Sequence, residues 1–497
     1  MHVSKAKHLL CLTGIALLLM TVGSMTSFLF PLHTGVDQNC FLTVARAWLE
    51  GRLPYRDIFE QKGPLLYLLH IPAAAFPQGR FFGVYLVQTA VWVLLLLGFE
   101  RLARICMPGS TFRTQLAVAA WSALAIVTAR CYSRGDNAEE FCLVPVVFAL
   151  CDLMQAVRAE QTAFSRRILL RNGIFAGLVL WIKFSMLGFF IGWCLVIGVL
   201  LWRDRGFLTA LRAGLWFLLG MALTAVPVLL YFGLHHALRD LFDVYFLANA
   251  TLYPRKITML DRVLDFFRSD LYKNPVMVPL ILFGAAFCTK GRRLREKAAV
   301  WVPLSLLYVF VFIGGVRYRY YLLILGAFVP FGIIALRQIL QNYVFSKHES
   351  AWFAVRLCMY PAILALTGNC LYFIGKPRSY YPQVQFAEKM EAGKILLNYN
   401  FLDGGFFLMS GTKLPDSRYF CKVNIYREQL PEMFEEQERI ICERSADYAV
   451  IRREKAETWE EKYSYAPFYE NYEKIADAEE QYDGYCYELY QRKENDD

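Results

Sequence analysis

Long apolar runs broken by short polar stretches fill the first three quarters of the chain. They fall near residues 9–30, 82–99, 115–130, 140–157, 172–183, 185–202, 209–232, 274–289, 298–315, 320–337 and 352–374. Most approach the roughly 18 residues a helix needs to cross a hydrocarbon core, and they show neither strand alternation nor an amphipathic stripe. The pattern predicts a polytopic α-helical membrane protein with about eleven spans. The fifth and sixth runs are short and meet around Trp181-Ile182-Lys183-Phe184, either as one bent span or as two.

Charge decides between those options. Lysine and arginine cluster at Lys5/Lys7, Arg101/Arg104/Arg113, Arg158/Arg166/Arg167/Arg171, Arg203/Arg205, Lys290/Arg292/Arg293/Arg295/Lys297 and Arg337/Lys347. Eleven alternating spans put all of these on one side, which the positive-inside rule makes cytoplasmic. The N-terminus is then inside and the tail after 374 outside, and a single span over 172–202 breaks the alternation. The segment MHVSKAKH and the run after it resemble a signal peptide without a clean cleavage site, and read as a retained signal anchor.

Composition agrees: 57% of residues are hydrophobic and the mean hydropathy is +0.34, more apolar than a polar-coated globule of this length. The net charge of +10 is spread between the apolar runs, which excludes a nucleic-acid footprint and fits topology and an anionic lipid partner. The thirteen cysteines include no CxxC pair and no zinc-like Cys/His spacing.

The outer face then carries loops 31–81, 131–139, 233–273 and 316–319, and the tail. Lys62, Arg130, Arg134, Arg255, Lys256, Arg317 and Arg319 lie there against the positive-inside bias. They fit either snorkelling at the interface or the binding of an anion. LRDLFDVYFLANATLY and LDRVLDFFRSDLY read as amphipathic interfacial helices. His235-His236 suits a cap or the interface better than a metal, and Asn249-Ala250-Thr251 fits a glycosylation sequon. From 376 the chain turns polar, acidic and tyrosine-rich. KILLNYN, GFFLMSG, DYAVIRR and YCYELYQ read as strands, residues 430–444 as a helix, and FLDGG as a turn. We therefore expect a transmembrane domain over 1–375 and a small α/β domain over 376–497.

The candidate chemistry sits in the outer loops. Residues 35–67 hold Asp37, Arg46, Glu50, Arg56, Asp57, Glu60 and Lys62. Asp37 reads as a helix N-cap or as a base whose pKa is raised by partial desolvation. In Glu60-Gln61-Lys62-Gly63-Pro64, lysine suits a phosphate oxygen, glycine permits close backbone approach and proline opens a helix. Asp136 and Glu139 fit a capping box, which leaves Glu140 as an unexplained acid at the start of a span. Carboxylates on one face, Asp37 with Glu139 and Glu140, are candidates to hold a divalent cation. Arg317 and Arg319 alternate in an extended turn, which brings both guanidinium groups to one side for a phosphate.

GVDQNCFLTVARAWLEGRLPYRDIFEQKGPLLYLL resembles the first outer loop of the family 39 type of GT-C membrane glycosyltransferases, relatives of protein O-mannosyltransferases and lipid A aminoarabinose transferases. Asp37 matches the loop's catalytic base. Glu60 and Lys62 match its acidic-then-basic element, and Pro64 and Tyr67 its helix entry. Asp136 to Glu140 resembles the second acidic loop. Arg317 to Tyr321 resembles a later aromatic motif, with Tyr320 where a histidine is usual.

The resemblance implies a GT-C fold and an inverting transfer on the outer face of a bacterial plasma membrane. The donor is a sugar on polyprenyl phosphate. The acceptor is a glycan, lipid or protein of the cell envelope. Lys62, Arg317 and Arg319 neutralise the leaving phosphate, with Arg134 and Tyr320 in the substrate site. The only cofactor the residues suggest is the divalent cation on the carboxylates of Asp37, Glu139 and Glu140. A transporter or flippase of lipid-linked sugars is the main rival, but no internal repeat is visible. A sensory membrane protein leaves the charge of residues 35–67 unexplained.

Overall fold

The structure is a computed structural model that describes residues 4–76, 81–159, 164–252, 258–313, 318–343, 359–364 and 366–494. Its long helices follow the apolar runs. They are α1 (Lys5–Gly23), α4 (Phe82–Cys106), α5 (Phe112–Val127), α6 (Ala138–Arg158), α7 (Arg166–Lys183), α8 (Gly188–Arg205) and α9 (Phe207–Leu234), with α2 (Val36–Leu49) and α3 (Pro64–Ala74) between α1 and α4. Then come α10 (Met277–Thr289), α11 (Leu294–Val311) and a 3-10 segment Arg319–Phe328 that runs into α12 (Val329–Tyr343). Among the described residues, six stretches are long and apolar enough to cross a membrane, with Arg166–Arg205 counted as one. The chain is a polytopic helical membrane protein with a small C-terminal sheet. Of the expected eleventh span, 352–374, residues 352–358 and 365 lie outside the described residues; 359–364 is helical and Leu371–Phe373 forms a 3-10 turn.

The 172–202 region is two helices. α7 ends at Lys183, a 3-10 turn spans Phe184–Leu187, and α8 begins at Gly188. α7 packs along α9, and α8 packs along α11. Small residues set these approaches, as expected where lipid removes the hydrophobic drive between helices. A Cβ on Gly173 would strike the Phe217 carbonyl, and one on Gly192 would strike Pro303. Likewise Gly284 of α10 meets Gly332 of α12.

The loop between α1 and α4 is itself structured. α3 has 11 residues, about 16 Å of helix, too short to span. The 233–273 stretch is helical where described, over Leu238–Thr251 and Met259–Leu271, in α- and π-type turns. The Asn249 amide donates to the Gln61 carbonyl and the Tyr245 carbonyl, both at 2.7 Å. The sequon nitrogen is thus engaged in packing this segment on the first loop.

After 376 the chain forms a four-stranded sheet in the order β1-β2-β4-β3: β1 (Leu396–Asn398), β2 (Tyr448–Glu454), β3 (Tyr472–Glu479) and β4 (Tyr485–Arg492). β1 runs parallel to β2, and the other pairs are antiparallel. α13 (Pro431–Cys442) buries Met433, Phe434, Gln437, Ile440 and Ile441, the core stripe of an amphipathic helix. Two expectations change. GFFLMSG is not a strand: Phe406–Ser410 is a short helix between Gly405 and Gly411, both at positive φ. β3, with its alternating charges, went unrecognised because it is an exposed edge strand bonded on one side only.

This unit is seated on the first loop. Thr43 of α2 donates to Asp403 at 2.6 Å. Arg52 donates to the carbonyls of Pro415 (2.8 Å) and Ser417 (2.6 Å), and Arg418 returns a bond to the Tyr55 carbonyl at 2.7 Å. The tail is thus built into the loop's own hydrogen bonding. The helix packing gives a first prediction. Gly173→Leu overpacks the α7–α9 contact and costs about 1–3 kcal/mol, read as a lower Tm in detergent against an unchanged Gly198→Leu control, where a Cβ meets nothing within 4 Å.

Candidate functional site

Four backbone groups clamp the strap that carries Lys62. Gln61 C=O accepts from Asn249 (2.7 Å), and Lys62 C=O accepts from the Tyr55 hydroxyl (2.7 Å). Lys62 N–H donates to the Tyr67 hydroxyl (3.2 Å), and Gly63 N–H donates to Ile182 C=O at the end of α7 (3.1 Å). Tyr55 and Tyr67 are fully buried. Gly63 lies so close to α7 that a Cβ would overlap the Trp181 carbonyl. The glycine that the sequence suggested for ligand approach is therefore used for approach to a helix end.

That approach brings two lysines and three carboxylates together. Lys62 Nζ lies 3.6 Å from Asp37 and 3.7 Å from Glu60. Lys183 Nζ donates to Glu139 at 2.5 Å and lies over the rings of Tyr321 (3.9 Å) and Tyr320 (5.2 Å). The Tyr320 hydroxyl donates to Asp37 at 2.9 Å, and the Cys40 thiol donates to Glu60 at 3.4 Å. Glu139 Oε2 is buried and accepts no hydrogen bond from a described residue. Tyr318 stacks on Tyr320 with rings parallel to 3° and receives a bond from Asn424 of the C-terminal unit at 3.1 Å.

Asp37 is not a cap. Gly35 holds the N-cap position of α2, and Asp37 sits in the first turn with its carboxylate turned to Lys62 and Tyr320. Its side chain keeps 27% exposure. Nor is its pKa raised. Burial pushes the carboxyl up, but Lys62, the Tyr320 hydroxyl and Lys183 together outweigh burial and hold it below the usual range. The group is an ionised carboxylate at neutral pH.

The second acidic loop divides differently from the sequence reading. The Asp136–Glu139 capping box does not form. Asn137 is the N-cap of α6, Asp136 pairs with His70 at 3.0 Å, and Glu139 faces Lys183. Glu140, unexplained in the sequence, accepts from Gln88 (2.9 Å), Trp92 (2.5 Å), Tyr132 (3.3 Å) and the Asp136 N–H (2.9 Å). Consecutive helical residues point about 100° apart, so Glu139 and Glu140 cannot serve one ligand. The suggested cation set of Asp37, Glu139 and Glu140 is not assembled, and no group of three His, Cys, Asp or Glu suited to a metal occurs among the described residues.

Arg134 also leaves the site. It pairs with Asp483 at 3.1 Å, donates to Thr34 at 2.7 Å and lies over the Tyr482 ring at 4.5 Å. Its charge is matched by the acidic tail. Arg319 is exposed while Tyr320 beside it turns to Asp37; Arg317, Arg255 and Lys256 lie outside the described residues. Sequence reasoning overlooked Lys183 as a site residue. The available signal was a lysine within a 40-residue apolar stretch, since a charge at membrane depth is a functional candidate.

The chain is a helical membrane bundle whose first loop is tied to a small α/β unit, a fold of the GT-C type. The chain is similar over 98% of its length to two crystal structures of ArnT from Cupriavidus metallidurans, 98% of each of which is covered. One is the apo state (TM-score 0.59, 14% identity), and the other is bound to undecaprenyl phosphate (TM-score 0.58, 12% identity). At such identity the likeness is one of fold. No family model and no curated protein matches the chain.

The Lys183–Glu139 pair yields a test. Glu139→Gln leaves a buried ammonium without its counter-charge and costs about 3–5 kcal/mol. Glu139→Gln with Lys183→Met removes both charges and recovers most of the Tm loss. A thermal melt of the unaltered protein and these two variants checks this.

Proposed function

We propose that this chain is a membrane glycosyltransferase that moves a sugar from a polyprenyl-phosphate donor to a cell-envelope acceptor on the outer face of a bacterial plasma membrane. The observation that carries the reading is an ionised Asp37 held between the Lys62 ammonium and the Tyr320 hydroxyl. The undecaprenyl phosphate bound to the structurally similar ArnT supports the donor class. Asp37 takes the proton of the acceptor hydroxyl as its oxygen attacks the anomeric carbon. The bond from that carbon to the phosphate oxygen breaks, its electron pair leaves with the phosphate, and the configuration inverts. Lys62 stabilises the charge on the departing phosphate, a task of positioned charge more than of covalent chemistry. A carboxylate with a lowered pKa is a weaker base but is ionised across the working pH range. Glu60 and Glu139 face the two lysines and aim them. Tyr318 and Tyr320 offer a stacked aromatic wall for a sugar face.

Purified protein given radiolabelled polyprenyl-phosphate sugar and an envelope extract should transfer label. Asp37→Asn should lower turnover by about 10²–10⁴-fold while still binding undecaprenyl phosphate; Lys62→Ala should lose that binding. Unchanged transfer in Asp37→Asn would overturn the assignment, and passage of the lipid across vesicles without turnover would favour a flippase. The pH dependence is a second check. Asp37 supports activity above its lowered pKa and loses it as pH falls through that value. Tyr320→Phe removes one group that holds the pKa down, so the acid limb of the pH–rate profile should move to higher pH.

A further inference from the structure

We propose that the opposite end of the bundle carries a second, separate binding site, specific for a phosphate group. α6 runs from Glu139 in the candidate active site to Arg158, about 28 Å along its axis. There a cavity of about 570 Å³ opens between the ends of α4 and α6, lined by Arg101, Arg104, Gln155 and Arg158 with the apolar Ile105 and Pro108. No carboxylate lines it among the described residues. Arg101 and Arg104 stand three apart on α4, as do Gln155 and Arg158 on α6. Each pair therefore shares a helix face, and the two faces meet at the cavity.

The nearby acids are already shared. Asp152 accepts from Arg101 (2.7 Å), Arg171 (2.6 Å) and Asn172 (2.9 Å). Glu296 lies between Arg158 (3.7 Å) and Arg292 (4.0 Å). Glu100 is taken by His8 at 2.8 Å. Arg104 is exposed and makes no ion pair with a described residue. Among the described residues, four guanidinium groups thus divide two carboxylates, and a fifth, Arg104, stands at the cavity without an ion pair. Loop charges that only orient a chain in the membrane need no common cavity. Three arginines around one do what a forked donor does best, which is to grip phosphate oxygens. Basic pockets between helices on one side of a membrane bind anionic headgroups, and Ile105 and Pro108 give the start of an acyl chain an apolar edge. The same chemistry serves a phospholipid headgroup or a soluble phosphate.

The full chain in neutral detergent distinguishes these. Phosphatidylglycerol, phosphatidylcholine, inorganic phosphate and pyrophosphate are titrated separately, with binding read by native mass spectrometry and by Tm. We expect phosphatidylglycerol to bind and raise Tm, and Arg104→Gln to weaken it about fivefold. Arg104→Gln/Arg158→Gln should weaken it further. Arg104 makes no hydrogen bond or ion pair with a described residue, so its variant reports on binding even if Arg158→Gln destabilises the protein. Phosphate or pyrophosphate binding that shows the same Arg104 dependence, without a lipid preference, supports the site with a soluble ligand. Equal binding of phosphatidylcholine, or anion binding unchanged in the double variant, overturns the proposal. Asp37→Asn leaves this binding intact, so the outcome does not depend on the proposed transfer activity.

Discussion

Gly63 donates its N–H to the carbonyl of Ile182, and that one contact sets the spacing of everything chemical around it. It joins the strap of the first loop to the end of α7. Lys62 sits one residue before the contact on one chain segment, and Lys183 one residue after it on the other. Two ammonium groups this close repel each other, and the repulsion is offset by Asp37, Glu60 and Glu139, which interleave with them. Tyr55, Tyr67 and Asn249 fix the neighbouring backbone groups, so the strap has little freedom to relax. The result is a charged cluster that is pre-organised by backbone packing, the arrangement that electrostatic catalysis requires.

The C-terminal unit belongs to this arrangement. Thr43–Asp403, Arg52 with the 415–417 carbonyls, and Arg418 with Tyr55 tie it to the same loop that holds Asp37. Asn424 reaches Tyr318, whose ring stacks on the tyrosine bonded to Asp37. Arg134 shows the same logic on another side of the loop: the acidic tail supplies Asp483 as its counter-charge. Basic residues that look anomalous in the sequence are thus divided between the site and the domain contact.

The sequence by itself determined the bundle, because a helix of apolar residues is the structure that satisfies its own backbone in lipid. The apolar runs therefore mark helices directly, down to the break at Lys183, which charge alternation required. It also determined which loop is chemically dense, and singled out Asp37, Glu60 and Lys62, which the fold brings within 4 Å of one another through Lys62. Most of the sheet was legible from short β-rich runs. The edge strand was not, since a solvated strand needs no apolar alternation.

Only the tertiary structure decided how the remaining charges are assigned. Glu139 and Glu140 are adjacent in sequence and equally acidic, yet one meets Lys183 and the other is enclosed by Gln88, Trp92 and Tyr132. Lys183 comes from a helix end more than a hundred residues from Lys62. Asp37 read as a cap or a desolvated base until Lys62 and Tyr320 supplied the partners that lower its pKa. A side chain's type states what it can do. Its protonation and role depend on what faces it, and in a folded bundle those neighbours come from distant segments that no local pattern encodes.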